Sequence, residues 1–329
     1  MKLKILNTSA KRFAYAVCIF SCLFLFQVTA KAQDSTAVVE EPAAPVKPKP
    51  VKNTFQSIWI IDNQTVMVPV KGTLEMDIMH RFGTITKGYK DFWGFFAPSN
   101  IRLAMNYSPI NKLNIGFGIT KEHILWDLNA KYSIITQTKR KYPVSITYYA
   151  NMAVDTRKNA TIYDNSNIKW NADRISYFHQ LIIARKVTDK ISLQVAPSLS
   201  WQNAVAGYFT KNDSTGKEIY RSMKHAHFAI SLAGRMKVSN VTSIMFNYDQ
   251  PITKHNENNP NPNLSFGVEF NTSSHSFQLF FTNYFKLNQQ QNNLYNDNSP
   301  FKYTDAASGK EIQGGQFLIG FNITRLWNF

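Results

Sequence analysis

Charged side chains recur at every second position along several aromatic segments of the sequence. Glu75, Asp77 and Arg81 show this spacing, and apolar residues interleave with them. If such segments are β-strands, one face carries the charges and the other face is apolar. We predict that the charged faces of several strands line a common enclosed interior. The residues are Glu75, Asp77, Arg81, Arg102, Asp127, Lys131, Arg235, Lys237 and Glu269.

Mixed charge in an enclosed interior has two interpretations. Rings of charged side chains form constrictions that screen ions or small solutes in channels. In a narrow barrel the same residues pair with one another and fill the interior. The sequence leaves both open, and it places Glu75 and Asp77 within reach of Arg81 as ion-pair partners.

Histidines offer the one weak candidate for a metal site. His225 and His227 are separated by a single residue, so a strand would place both on one face, and His255 lies in a following loop. No carboxylate lies nearby to complete a ligand set. Polar residues near a rim are therefore the simpler interpretation, and we expect no metal.

The first 32 residues predict a secretory signal peptide. An apolar core from Phe13 to Val28 follows basic residues, and Ala30-Lys31-Ala32 marks a cleavage site before Gln33. Both cysteines, Cys18 and Cys22, lie in this signal. The mature chain therefore has no thiolate ligand and no thiol nucleophile, and no cofactor is expected.

Charge and composition limit the classes of partner that this chain can bind. The precursor carries a net charge of +16, and removal of the signal's five basic residues leaves 32 basic against 21 acidic side chains, a net +11. Outer-membrane lipid and lipopolysaccharide are the anionic partners of an exported basic chain, and nucleic acid is not expected. After the signal, no segment has 18 uninterrupted apolar residues, which excludes an α-helical membrane protein.

The mature chain divides into three parts. Residues 33–52 are rich in proline and charge and predict a flexible periplasmic linker. Residues 53–72 predict a short segment that is either a plug or an extra strand. From 73 to 329, period-two alternation predicts an all-β fold, a transmembrane antiparallel barrel of about twelve strands. Leu113 to Thr120 alternates clearly, whereas Tyr177 to Arg185 is apolar on both faces.

Connection lengths alternate as expected for a barrel with both termini in the periplasm, where turns are short and external loops are long. Short turns follow the even-numbered strands. Residues 120–123 are the exception, because this position calls for a long loop. The long loops follow the odd-numbered strands: 82–98, 156–174, 203–223, 251–263 and 286–315.

A soluble β-sandwich or lipocalin-like barrel is the main alternative fold, because its strands alternate too. Its apolar face would point inward. Here the polar face is rich in Asn, Ser, Thr, Gln and Gly, whereas Phe, Trp and Tyr concentrate near strand ends on the apolar face. This distribution is typical of aromatic girdles at a lipid interface and favours the membrane barrel.

The last strand ends on an aromatic residue and has apolar residues at alternate positions before it. Phe321, Ile323, Trp327 and Phe329 form this pattern, which resembles the signal that the barrel-assembly machinery recognises by pairing with a strand edge. Arg325 departs from the pattern and is expected to extend toward lipid headgroups. The pattern predicts an outer-membrane location.

Beyond this general class, the chain resembles an uncharacterised family of predicted bacterial outer-membrane β-barrel proteins over most of its mature length. Four stretches carry the resemblance: His80 to Gly83, Lys131 with Tyr132, His275 to Gln278, and Gly320 to Arg325. None is a catalytic motif. The resemblance implies fold and location and adds nothing about chemistry.

Passive transport of small solutes or ions, or a structural role in the membrane, is the function that these observations favour. A lipid-modifying enzyme needs a serine or histidine with a supporting side chain, and both residue types are scattered singly here. A surface interaction protein would use the long external loops. Basic residues in these loops could hold lipopolysaccharide phosphates: Arg157, Lys158, Lys169 and Arg174.

Overall fold

The computed structural model describes seven parts of the chain: residues 49–157, 161–162, 166–211, 214–255, 259–304, 309 and 311–329. The predicted signal peptide, most of the predicted linker and Lys158 lie outside these ranges. No helix in the described ranges is long and apolar enough to cross a membrane.

Twelve antiparallel strands close into one barrel, which confirms the predicted fold. The strands in chain order are β1 (Thr73–Thr84), β2 (Asn100–Ile110), β3 (Leu113–Thr120), β4 (Leu125–Ile135), β5 (Ser145–Asp155), β6 (Ile175–Lys186), β7 (Ile191–Gln202), β8 (Ala226–Lys237), β9 (Thr242–Pro251), β10 (Asn263–Asn271), β11 (His275–Thr282) and β12 (Leu318–Asn328). Each strand pairs with the next in sequence, and β12 pairs with β1. The wall is therefore an up-and-down meander with no free edge.

Burial alternates along the strands with the period of the sequence. In β4, Asp127 and Lys131 are buried, whereas Trp126 and Leu128 are 52% and 58% exposed. The enclosed face is polar and the exposed face is apolar, which is the inverse of a soluble barrel. This arrangement excludes the sandwich and lipocalin-like alternatives.

The two ends of the barrel differ in their connections. We call the end where β1 begins and β12 finishes the terminal end, and the opposite end the loop end. The turn between β4 and β5, residues 136–144, is longer than predicted. At the loop end, Gly207–Lys211 and Glu218–Ser222 form a hairpin after β7, and residues 121–124 form the predicted short connection.

Two segments of the chain occupy the interior of the barrel. The N-terminal segment forms a hairpin in which Trp59–Ile60 pairs with Asn63–Gln64. This hairpin does not join the wall, and we call residues 53–68 the plug. The loop after β11 contains helix α1 (Gln289–Tyr295), in which every residue is buried. The plug enters from the terminal end and α1 enters from the loop end.

An apolar patch on the inner wall explains why β6 is apolar on both faces. Phe178 and Ile182 of β6 point inward and are buried in one cluster with Ile60 and Ile61 of the plug. Full burial of a large apolar side chain stabilises a fold by about 1.5–3 kcal/mol. The plug is therefore packed as part of the fold.

Candidate functional site

The plug hairpin is hydrogen-bonded to three well-separated strands of the wall. Lys131 Nζ of β4 donates to Gln64 Oε1 (2.6 Å), and Gln194 Nε2 of β7 donates to the carbonyl oxygen of Gln64 (2.8 Å). Asn322 Nδ2 of β12 donates to the carbonyl oxygen of Ile61 (2.6 Å). The hairpin therefore spans the lumen.

Amide side chains hold the hairpin from a further direction. Asn63 Nδ2 donates to Asn247 Oδ1 and Asp249 Oδ1 of β9, both at 2.8 Å, and Asn63 Oδ1 accepts from Gln180 Nε2 of β6 at 2.8 Å. An amide that donates and accepts at once fixes orientation as well as position. Sequence reasoning missed these residues, because an inward amide looks the same whether it faces water or a plug.

Asp62, at the turn of the hairpin, joins the plug to α1. Its carboxylate Oδ2 accepts from Asn292 Nδ2 (2.9 Å), and its carbonyl oxygen accepts from Gln289 Nε2 (2.8 Å). Its other carboxylate oxygen lies 3.8 Å from Arg81 Nη2 of β1. The wall and both segments that occupy the lumen therefore meet at this residue.

Eight of the nine predicted charged residues are buried in the interior, and several form ion pairs. Arg102 and Asp127 form a bidentate pair with distances of 2.9 and 2.7 Å, and Arg235 Nε lies 2.8 Å from Glu269 Oε1. Gly118 leaves room for the first pair, since an added Cβ would lie 2.5 Å from Arg102 Nη2. In each pair the two charges neutralise each other across one intervening strand.

Asp77 has hydrogen-bond donors on three sides in place of an ion pair. Its carboxylate accepts from Trp59 Nε1 of the plug (3.0 Å), from Asn106 Nδ2 of β2 (3.1 Å) and from Thr324 Oγ1 of β12 (2.7 Å). Three donors offset much of the cost of burying a carboxylate. One of them belongs to the plug, so plug and wall share this residue.

The structure changes two details of the predicted charge arrangement. The prediction that Arg81 pairs with Glu75 or Asp77 is wrong, because its ion-pair partner is Asp62 of the plug, a residue the strand pattern does not include. Lys237 is only partly buried, because it is the last residue of β8 at the terminal end. Five of the nine charges are in ion pairs, and Glu75, Asp77 and Lys131 are hydrogen-bonded to neutral side chains. The interior therefore fits the self-filled interpretation better than an open charged ring.

The structure separates the two histidines that formed the weak candidate metal site. His225 precedes β8 and is exposed, and its ring stacks on Trp201 at 5.7 Å. His227 is fully buried, and its Nδ1 lies 3.3 Å from Nε2 of His255. Burial and the nearby Lys224 lower the pKa of His255. In the part of the chain that the structure describes, no three His, Cys, Asp or Glu side chains are grouped as metal ligands.

One serine–histidine contact bears on the enzyme alternative. Ser274 Oγ lies 3.1 Å from His275 Nδ1 in a turn at the terminal end. The other hydrogen bonds that the structure gives His275 run to Thr272 and involve its backbone. A catalytic triad needs a carboxylate that orients the histidine, and this contact does not supply one.

The basic loop residues are engaged to different degrees. Arg157 Nη2 lies 2.7 Å from Asp155 Oδ2, and Arg174 Nη1 donates to the carbonyl oxygen of Asp155 at 3.0 Å. Lys169 is exposed. The arginines therefore order the end of β5, and of the three described residues of this set Lys169 is the one that points to solvent.

The predicted assembly residues lie on or next to β12. Phe321 and Ile323 face outward between buried polar neighbours. The guanidinium of Arg325 lies 4.6 Å from the ring centroid of Trp327, a cation–π contact that keeps the charge beside an aromatic ring. Phe329 follows the last strand residue and is 87% exposed.

Comparisons with known proteins agree with the barrel architecture. A family model described as a membrane bound beta barrel domain (DUF5777) matches residues 55–327. No curated protein matches the chain by sequence.

Similar solved structures have low sequence identity. The NanC porin is 8% identical, with a TM-score of 0.42 over 78% of this chain and 99% of that chain. An outer membrane channel from Pseudomonas putida F1 is 11% identical, with a TM-score of 0.43 over 79% and 97%. OmpT of Vibrio cholerae is 9% identical, with a TM-score of 0.32 over 79% and 99%. At these sequence identities and TM-scores, the solutes and mechanisms of those proteins cannot be assigned to this chain.

Proposed function

Because the chain belongs to the family of membrane bound beta barrel domains (DUF5777), we propose that it is a passive outer-membrane pore, closed in the present state by its plug and α1. The observation that carries this proposal is the polar wall behind the plug. Gln180, Gln194, Asn247, Gln278 and Asn322 all face inward and are hydrogen-bonded to the plug. If the plug moves, these amides face water, and the lumen hydrates.

The solutes that suit this lumen are small, polar and uncharged, or weakly selected ions. Amides both donate and accept hydrogen bonds, so they suit water and hydroxyl-rich solutes. The ion pairs Arg102–Asp127 and Arg235–Glu269 neutralise four of the charges that face the lumen, two of each sign. A pore lined in this way discriminates by size more than by charge.

Export and assembly belong to the same proposal. The signal peptide is cleaved after Ala32, and the mature chain reaches the outer membrane through the periplasm. The barrel-assembly machinery recognises the last strand by Phe321, Ile323, Trp327 and Phe329. Outer-membrane lipids and lipopolysaccharide then surround the apolar wall.

Planar-bilayer conductance tests the pore. The variants are a deletion of residues 53–68, a deletion of 288–297, and both together, and the control is a deletion of 33–48, which leaves the plug intact. We expect the full chain and the control to be nearly silent and the double deletion to show discrete conductance steps. Each variant must first show heat-modifiable migration on gels, which reports a folded barrel.

A folded double deletion without conductance steps would overturn the pore and leave a structural role in the membrane. Conductance steps of equal size in the full chain would overturn the closed state. Reversal potentials in a salt gradient add the charge test, because we expect weak selectivity for either ion sign.

A further inference from the structure

The connection between β1 and β2 exposes a cluster of aromatic rings at the loop end. We call residues 85–97 the aromatic loop. Its exposed rings, with exposed fractions from 41% to 82%, are Tyr89, Phe92, Trp93, Phe95 and Phe96. Exposed apolar patches of this kind mark contact surfaces, because rings left in water forgo the free energy of burial.

The loop is fixed to the end of β1 by a close backbone approach. The amide of Gly83 donates to the carbonyl oxygen of Gly94 (3.0 Å), and a Cβ added to Gly94 would collide with the backbone of Gly83. Asp91 Oδ1 accepts from the Gly94 amide at 3.0 Å. Gly94 also has φ of +83°, which favours glycine. The aromatic rings are therefore presented by a defined turn.

The backbone of this turn is strained where the rings are. Phe92 and Trp93 have φ of +51° and +53°, a conformation that costs an L-residue roughly 1–2 kcal/mol. The ring of Phe92 stacks on Phe96 at 5.4 Å. Tyr89 and Phe96 nevertheless remain 81% and 82% exposed. The strained backbone and the exposed rings therefore occur in the same turn.

The aromatic loop continues the lipid-facing surface of the barrel. Phe82 faces outward on β1, and its ring centroid lies 4.6 Å from that of Phe95. Phe82 also lies 4.4 Å from His80 and 6.2 Å from Phe321, both on the outer wall. The loop therefore joins the outward aromatic residues at the loop end of the wall.

Basic side chains accompany these rings. Lys87 and Lys90 are exposed within the loop. Lys121 lies beside it, and its Nζ donates to the carbonyl oxygen of Ser99 at 2.8 Å. Rings with basic residues at the boundary of an apolar surface are typical of segments that lie in a membrane interface, where cations meet lipid phosphates.

We propose that the aromatic loop is a membrane anchor inserted into the outer leaflet of the surrounding bilayer. Phe92 and Phe96 contact acyl chains, and Lys87 and Lys90 bind lipid phosphates. Continuity with the lipid-facing wall favours lipid over a soluble carbohydrate or a protein partner. The anchor would set the depth of this side of the barrel in the bilayer, in addition to the depth set by the lipid-facing strands.

Site-specific quenching tests the anchor, because the mature chain has no native cysteine. A Phe96→Cys variant is labelled with an environment-sensitive fluorophore and reconstituted in vesicles that contain spin-labelled phospholipid. Leu128→Cys, on the lipid-facing side of β4, gives the fully quenched reference. Lys217→Cys, near the tip of the hairpin after β7, gives the reference in water.

We expect Phe96→Cys to show at least half the quenching of Leu128→Cys and several times that of Lys217→Cys. Quenching at the level of Lys217→Cys would overturn the anchor. Tyr89→Cys repeats the test at a second exposed position, and heat-modifiability confirms that each labelled barrel is folded.

Lipid charge tests the phosphate contacts separately. Raising the fraction of phosphatidylglycerol should increase quenching at Phe96→Cys, and Lys87→Gln with Lys90→Gln in the same chain should remove that increase. An unchanged increase in the doubly neutralised chain would overturn the role of these lysines. If the label is unquenched by lipid and instead responds to added polysaccharide, the loop binds carbohydrate and the anchor is wrong.

Discussion

The carboxylate of Asp62 and the side-chain amide of Asn292 are joined by a 2.9 Å hydrogen bond inside the barrel. Asp62 belongs to the plug, which enters from the terminal end, and Asn292 belongs to α1, which enters from the loop end. Two segments separated by more than 200 residues in sequence therefore hold each other in the lumen. Movement of one changes the contacts of the other.

This contact predicts energetic coupling between plug and α1. Asp62→Ala and Asn292→Ala should each destabilise the barrel, and the double variant should lose less than the sum by about 0.5–3 kcal/mol, the range for residues in one hydrogen-bond network. Urea unfolding in detergent micelles measures the three values. Asn114→Ala, which removes a hydrogen bond to Glu75 Oε2 and none to Asp62, is the control partner for Asp62→Ala, and these two effects should add. Additivity of the Asp62 and Asn292 variants would contradict the coupling.

The inner apolar patch predicts that inward and outward substitutions on β6 affect the plug differently. Phe178→Ala removes a buried ring that packs with Ile60 and Ile61, and the cavity should cost about 3–5 kcal/mol. Amide exchange of the plug should accelerate in the same variant. Leu181→Ala changes an outward residue of the same strand, 38% exposed, so plug exchange should stay unchanged. Equal effects of both variants on plug exchange would argue against the docking of the plug on β6.

The buried pair Arg102–Asp127 predicts a non-additive response. Arg102→Met leaves the Asp127 carboxylate buried without its cation, which should cost about 3–5 kcal/mol. The double variant with Asp127→Leu should recover most of this loss, because no uncompensated charge remains. Thermal unfolding of the unmodified protein, the two single variants and the double variant measures these losses. A double variant no more stable than Arg102→Met would contradict this prediction, because the unpaired carboxylate would then not be the source of the loss.

The loop end should respond to pH through His255, whose Nδ1 accepts from the backbone amide of Lys224 at 3.1 Å. Burial and the charge of Lys224 lower the pKa of His255 below its ordinary value of 6.5. The folded loop therefore binds fewer protons than the unfolded chain, and the stability from the neutral ring is full above 6.5 and lost as pH falls through the lowered pKa. Protection of the Lys224 amide, corrected for intrinsic exchange, should drop between pH 7 and 5. His255→Asn should remove this drop, and a persistent drop would assign it to another group.

The strands could be predicted from the sequence. The segments that fill the lumen could be predicted only in part. Alternation specifies which face of a strand is apolar, so Asp127 and Lys131 can be placed inward from sequence alone. Helix α1 could not be found, because its polar residues Gln289 to Asn293 have no apolar stripe and read as loop. Their helix forms because partners such as Asp62 and Ser176 surround it.

One signal for the plug was present in the sequence. The segment around Tyr177 to Arg185 has no polar face, and a water-filled lumen would not favour that pattern. Phe178 and Ile182 face inward because the plug covers them. The contact between His227 and His255 could not be predicted from spacing, because it depends on a loop that brings His255 back over the strand.

Thiol protection in an Asn63→Cys/Asn247→Cys double variant tests the closed lumen most directly. The two side chains are buried and hydrogen-bonded at 2.8 Å between the plug and β9, and the sequence has no cysteine after Cys22. If the plug lies in the lumen, both thiols should resist a bulky thiol reagent in the folded protein and react only after unfolding. Rapid labelling of both thiols in the folded barrel would contradict a plugged pore.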